Sequence, residues 1–78
     1  MKNINLNLAY VLTKLRHKAS ISQEELAEKA GVHRTYVSQI ERAQKCPTLQ
    51  ILNKIASALN IPMSEIIKEM EEYELHKK

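Results

Sequence analysis

Apolar positions along this chain recur at helical spacing, and nowhere do they alternate with polar ones for long enough to make a strand. The pattern predicts five helices. The first runs from about Leu6 to Lys18, with Leu8, Val11, Leu12 and Leu15 at i, i+3, i+4 and i+7 on one face. The second covers about Gln23 to Ala30, with Leu26, Ala27 and Ala30 inward, and the third begins near His33 or Arg34 and ends near Arg42, with Val37 and Ile40 inward. A loop through Ala43, Gln44, Lys45 and Cys46 is ended by Pro47. Thr48 is then a natural N-cap for a fourth helix to about Leu59, with Leu49, Leu52, Ile55, Ala56 and Leu59 inward. Asn60 suits the left-handed position after it. Pro62 pre-sets the first turn of a fifth helix carrying Met63, Ile66, Ile67 and Met70. The expected fold class is all-α, a compact five-helix domain filling residues 1–78, with the charged end EEYELHKK (71–78) frayed beyond the last packed turn.

The junction of the second and third helices is the most specified part of the pattern. Ser22 and Glu25 have capping-box spacing, in which each side chain satisfies an orphan backbone donor of the first turn. Ile21 before the cap and Leu26 at the fourth helical position suit a hydrophobic staple. Gly31, the only glycine in the chain, stands where the second helix must stop, at a left-handed position that carries no Cβ penalty only for glycine. Two short helices joined by such a turn make a helix-turn-helix, here about residues 22–42.

Helix three has a distinct outward face. At roughly 100° per residue, Val37 and Ile40 define an inward direction, and Thr35, Ser38, Gln39 and Arg42 point away from it. Arg34 and Glu41 flank one side and Tyr36 the other. The outward set is short, polar and almost free of apolar bulk, which a reader of base edges needs in a groove only about 12 Å wide. Arg34 can fork onto guanine O6 and N7, Gln39 can bridge adenine N6 and N7, and Thr35 and Ser38 can serve either a base or a phosphate. A plain polar, solvent-facing helix is the alternative. Gln23, at the positive end of the second helix, is placed for an anion, or is an ordinary first-turn residue. Arg42 and Lys45 are placed for the adjoining backbone, with a solvated loop lysine as the other reading of Lys45. His33 is either a phosphate donor at the edge of helix three or a turn residue.

The stretch SQEELAEKAGVHRTYVSQIER (22–42) resembles the Cro and lambda-repressor-like (XRE) helix-turn-helix family. Gln23, Ala27, Gly31, Val37 and Ile40 match its first-helix glutamine, small packed alanine, turn glycine and two buried recognition-helix aliphatics. The resemblance extends from about Leu8 to about Ile67. Within the family, HRTYVSQIER followed by a polar segment and Pro47-Thr48-Leu49 is similar to restriction–modification controller proteins. It implies a lambda-repressor-like domain that binds double-stranded DNA, with Arg34, Thr35 and Gln39 at base-reading positions and Tyr36 at one that touches backbone or base. Gln23 matches a residue that contacts phosphate and braces the recognition helix. Arg16 and Glu41 match a structural ion pair that clamps helix one to helix three.

Composition sharpens the partner and narrows the chemistry. The net charge is +3, but residues 1–45 hold eight Lys/Arg against four Glu, while residues 46–78 hold four Lys against five Glu. The positive excess lies in the half carrying the helix-turn-helix and favours a polyanion, although an excess this modest also fits an ordinary solvated surface. A lone Cys46 excludes an intramolecular disulfide and a cysteine-based metal framework. His17, His33 and His76 lack ligand partners at i+3 or i+4, so no metal is expected. No serine has a glycine elbow and no phosphate-cradling glycine loop occurs, so no catalysis, cofactor or small-molecule ligand is expected. The amino-terminal apolar run is too short for a secretory segment and no 18-residue apolar span exists, so the expectation is a cytoplasmic protein with no membrane partner. Tyr10 reads as a partly buried residue of helix one and Tyr73 as a tail residue.

A 78-residue domain buries only roughly 60% of its unfolded surface, and oligomerisation is a common remedy. Ile61, Met63, Ile66, Ile67 and Met70 exceed what so small a core requires and are candidates for a two-fold dimer seam, with closure of the monomer's own core as the alternative. The expected function is a sequence-specific DNA-binding transcriptional regulator, a homodimer on an inverted-repeat operator, of the restriction–modification controller or phage repressor type. A protein-interaction module of the antitoxin type is the rival, and it needs a partner-binding segment outside the core, for which only the stretch after Met70 is spare.

Overall fold

Asn3 caps the first helix, its side-chain oxygen accepting the Leu6 amide at 3.0 Å, and α1 runs Ile4–Lys18, starting two residues before the expected Leu6. In this computed structural model residues 1–76 are described, and α2 (Gln23–Ala30), α3 (Arg34–Glu41), α4 (Leu49–Ala58) and α5 (Met63–His76) follow α1 without a strand among them. Thr48 caps α4 by accepting the Ile51 amide at 3.1 Å, and Asn60 takes the left-handed conformation at φ 59°. Pro62 lies one position before α5 rather than in its first turn, its carbonyl accepting from the Glu65 amide at 3.0 Å. Leu49 corrects the inward set of α4, being 72% exposed. It is the first residue of α4, and because Cα–Cβ bonds tilt toward the helix N-terminus its side chain projects past the helix end instead of onto the core.

α1 packs against α3 and α5, α2 against α3 and α4, and α4 against α5, so α1 and α2 bracket the helix whose outer face is at issue. The fully buried side chains Leu12, Leu26, Val37, Ile40, Ile55 and Ile66 come from all five helices and meet in one core. Each such burial contributes about 1.5–3 kcal/mol relative to exposure. With one glycine for four corners, the chain turns left-handed at Ser20 (φ 60°), Ala43 (φ 61°) and Asn60 as well as at Gly31. Each non-glycine corner carries a Cβ penalty that the packed helices on either side must hold.

The expected frayed end is helical through His76; Lys77 and Lys78 lie outside the described residues. What orders it is a set of contacts to α1. The Tyr10 and Tyr73 rings stack with centroids 4.1 Å apart and planes 14° from parallel. Asn7, which is fully buried, donates from Nδ2 to the Met70 carbonyl (3.2 Å) and to Glu74 Oε1 (3.0 Å). Lys14 Nζ reaches Glu69 Oε1 at 3.2 Å. Tyr73 is therefore an anchoring residue of α5, half-buried, while Tyr10 is half exposed. The same helix corrects the proposed seam. Ile66 and Met70 are buried inside this chain's own core and offer no surface to a second copy, whereas Ile61, Met63 and Ile67 are half-buried at its edge.

Candidate nucleic-acid interface

The turn that sets the angle between α2 and α3 is built as its residues dictate. The Ser22 hydroxyl accepts the Glu25 amide at 3.0 Å and Glu25 Oε1 accepts the Ser22 amide at 3.1 Å, closing the capping box. Gly31 takes φ 71°, and the Val32 amide reaches back to the Ala27 carbonyl at 3.0 Å, which satisfies the frayed carbonyls of α2. A Cβ at Gly31 would meet nothing within 4 Å, so the demand for glycine is one of backbone conformation and not of space.

Beyond the turn, Val37 and Ile40 are wholly buried and fix α3 against α2 and α1. Arg34, Thr35 and Arg42 are exposed, and Ser38 and Gln39 are half-buried on the same outward side. His33 is the exposed N-cap residue in extended conformation, with no cap hydrogen bond from its side chain. The Arg42 guanidinium folds back so that Nε donates to the Ser38 carbonyl at 3.4 Å, at the negative end of α3. Tyr36 is half-buried, and the Lys45 ammonium lies 5.5 Å from its ring centroid.

Behind this face sits a charged brace. Arg16 donates from Nε to Glu41 Oε2 at 2.7 Å and from Nη2 to Glu41 Oε1 at 3.0 Å, and its Nη1 donates to the Ile21 carbonyl at 2.9 Å. Gln23 Nε2 donates to Glu41 Oε1 at 3.0 Å, so this amide nitrogen is turned to the brace rather than outward. The Glu41 side chain is 5% exposed and that of Arg16 11%. Burial pushes the Glu41 carboxyl up, but hydrogen bonds from Arg16, Gln23 and Thr13 and the Arg16 charge outweigh it, and the group is held below its ordinary value. Thr13 and the Ile21 carbonyl went unnoticed in the sequence. Thr13 stands three residues before Arg16, on the same side of α1, and that spacing is the signal that locates it.

The brace also opens outward. Arg16, Ser22, Gln23, Glu24 and Arg34 line a shallow recess at the N-terminus of α2, where free amides and the Arg34 guanidinium favour an anion, while the Arg16 charge is matched by Glu41 and the Glu24 carboxylate opposes one. Cationic and hydrogen-bonding groups thus lie at both ends of α3 and along its outer side, an arrangement suited to a polyanion with readable edges. Among the described residues no three His, Cys, Asp or Glu side chains group where they could hold a metal ion, and no helix is long and apolar enough to cross a membrane.

The family model described as helix-turn-helix matches residues 12–66, from α1 into α5. The transcriptional regulator SutR of Escherichia coli K12 is 40% identical over 67 residues, covering 86% of this chain but 38% of SutR. Control protein C.MunI of a Mycoplasma species is 36% identical over 72 residues, covering 91% of this chain and 97% of C.MunI. The crystal structure of the wild-type restriction–modification controller protein C.Esp1396I superposes with a TM-score of 0.88 at 27% identity, covering 96% of each chain. This chain therefore spans well under half of SutR and almost the whole of the two controllers.

Proposed function

The chain belongs to the helix-turn-helix family, and from that premise we propose that it is a sequence-specific DNA-binding transcriptional regulator of the restriction–modification controller kind. The observation that carries the reading is the two-sidedness of α3: Val37 and Ile40 are sealed in the core while Arg34, Thr35, Ser38 and Gln39 lie along the open side. In this reading Arg34 and Gln39 fork onto purine edges, and Thr35 and Ser38 supply shorter contacts. Phosphates are held at the recess beside Gln23 and Arg34 and at the far end by Arg42 and Lys45, with His33 and Tyr36 at the margins. Gln23 serves mainly as a brace, through its bond to Glu41.

The working unit is a homodimer. Two copies of α3 enter successive major grooves about 34 Å apart, so the operator is an inverted repeat. Ile61, Met63 and Ile67 are the remaining candidates for the seam. Occupancy then follows protein concentration through the dimerisation equilibrium. The relatives named as controllers favour this biological setting over the phage one. The interaction-module reading loses its support, since residues 71–76 continue α5 and are tied to α1 through Tyr73 and Glu74. Selection of bound duplexes from a random library tests the whole proposal. Enrichment of a two-fold repeat is the expected result, and recovery of no common sequence would refute it.

A further inference from the structure

Lys45 lies outside every helix, in the loop between α3 and α4, yet its ammonium is placed over the face of a ring on α3. Tyr36 is half-buried, with part of its side chain packed against the core, and Lys45 is exposed. The chain brings the lysine there by turning back on itself. Ala43 is left-handed at φ 61°, and the Gln44 amide donates to the Gln39 carbonyl at 2.8 Å, so the two residues before Lys45 reverse the path along α3. A tyrosine face is electron-rich and attracts an ammonium at this distance. Tyr36 follows Thr35 directly and stands three residues before Gln39, a spacing that makes the two neighbours on one helix surface. The ring therefore borders the outward side chains of α3.

We infer that Lys45 is a positioning residue for sequence selectivity: its ammonium holds the Tyr36 ring against the flank of α3 and so shapes the surface that Thr35 and Gln39 present to base edges. The inference rests on the DNA-reading assignment made above and goes beyond it. A loop lysine that touches only phosphate adds affinity without choosing sequence. A lysine acting through a ring beside the reading residues changes which base pairs are preferred. Arginine also stacks on aromatic faces and should preserve the effect, whereas methionine keeps the length and loses the charge.

Two measurements on the full chain decide the matter. Without DNA, proton NMR should find the Lys45 side-chain methylene resonances displaced by the Tyr36 ring current, and Tyr36→Leu should remove the displacement; no change on Tyr36→Leu overturns the inference. With DNA, binding of the selected operator is compared with binding of its single-base variants. Lys45→Met should lessen the preference at one or more positions by about threefold, the size of a surface cation–ring attraction, while Lys45→Arg retains it. In the Tyr36→Leu background Lys45→Met should have no further effect on preference. An equal loss of affinity for every sequence, or the same loss of preference with and without the tyrosine, overturns the inference while leaving the DNA-reading assignment in place. If the unaltered protein selects no sequence at all, the DNA-reading assignment fails and the positioning role falls with it.

Discussion

Arg16 grips Glu41 through two parallel hydrogen bonds, Nε to Oε2 at 2.7 Å and Nη2 to Oε1 at 3.0 Å, joining the last turn of α1 to the last residue of α3. Both side chains are nearly closed off from solvent, so removing one strands the other. Glu41→Ala should cost about 3–5 kcal/mol, a large share of what so small a domain has, and urea unfolding measures it. Replacing both partners, as in Arg16→Met with Glu41→Leu, should recover much of that loss. A Glu41→Ala protein that unfolds at the parental urea midpoint, yet binds DNA poorly, would move this residue from the scaffold to the interface.

The same carboxylate makes stability depend on acidity. Its folded-state pKa lies below its unfolded value, so the unfolded chain takes up the proton more readily and stability rises with pH through this range. The contribution is complete above about pH 4.3, the ordinary glutamate value, and disappears as acid carries the pH down through the folded value. Unfolding free energies measured from about pH 6 down to about pH 3 should show this fall, and Glu41→Gln should flatten it.

On the outward face, Arg34→Ala should cost about 1–3 kcal/mol and relax selectivity at one base pair of each half-site. Its exposed, unanchored position predicts an unchanged melting temperature. A binding screen across operator variants checks this, and a uniform loss at every position would remove Arg34 from the base-reading set.

Tyr10 and Tyr73 stack between α1 and α5, and packed aromatic pairs contribute about 0.5–1.5 kcal/mol beyond the area they bury. A double-mutant cycle with Tyr10→Ala and Tyr73→Ala should return a coupling in that range by urea unfolding. Zero coupling would mean that α5 is held without the stacked rings.

Burial separates the residues of α5 and the turn before it into two groups that charge substitution should tell apart. Ile67→Glu, or Met63→Glu, places a carboxylate at a half-buried edge and should yield a folded monomer by sedimentation, with weaker DNA binding. Ile66→Glu puts the charge in the sealed core and should unfold the chain. A dimer that survives both edge substitutions would place the seam elsewhere.

The helix-turn-helix was legible because its signals are local. Ser22, Glu25 and Gly31 act within one turn of where they stand, and Val37 and Ile40 set the inward side of α3 by spacing alone. The brace was legible in part: Arg16 and Glu41 came through resemblance, while the Thr13 hydroxyl and the inward turn of the Gln23 amide depend on how α1, α2 and α3 meet. The end of the chain was misread for a related reason. Residues 71–76 look solvated by composition, and what orders them is α1, more than sixty residues away, through Asn7 and Tyr10. Leu49 went wrong at a boundary, where helical phase places a side chain correctly around the axis but the helix ends short of the core.

The embrace of α1 by α5 has a bearing on synthesis. Until residues 63–76 have left the ribosome, Asn7 lacks the Met70 carbonyl and the stripe of Leu8 and Val11 lacks its cover, so the emerging polypeptide can form the reading motif well before it can complete the core beneath it. Closure of the core beneath that motif should therefore wait until α5 has emerged.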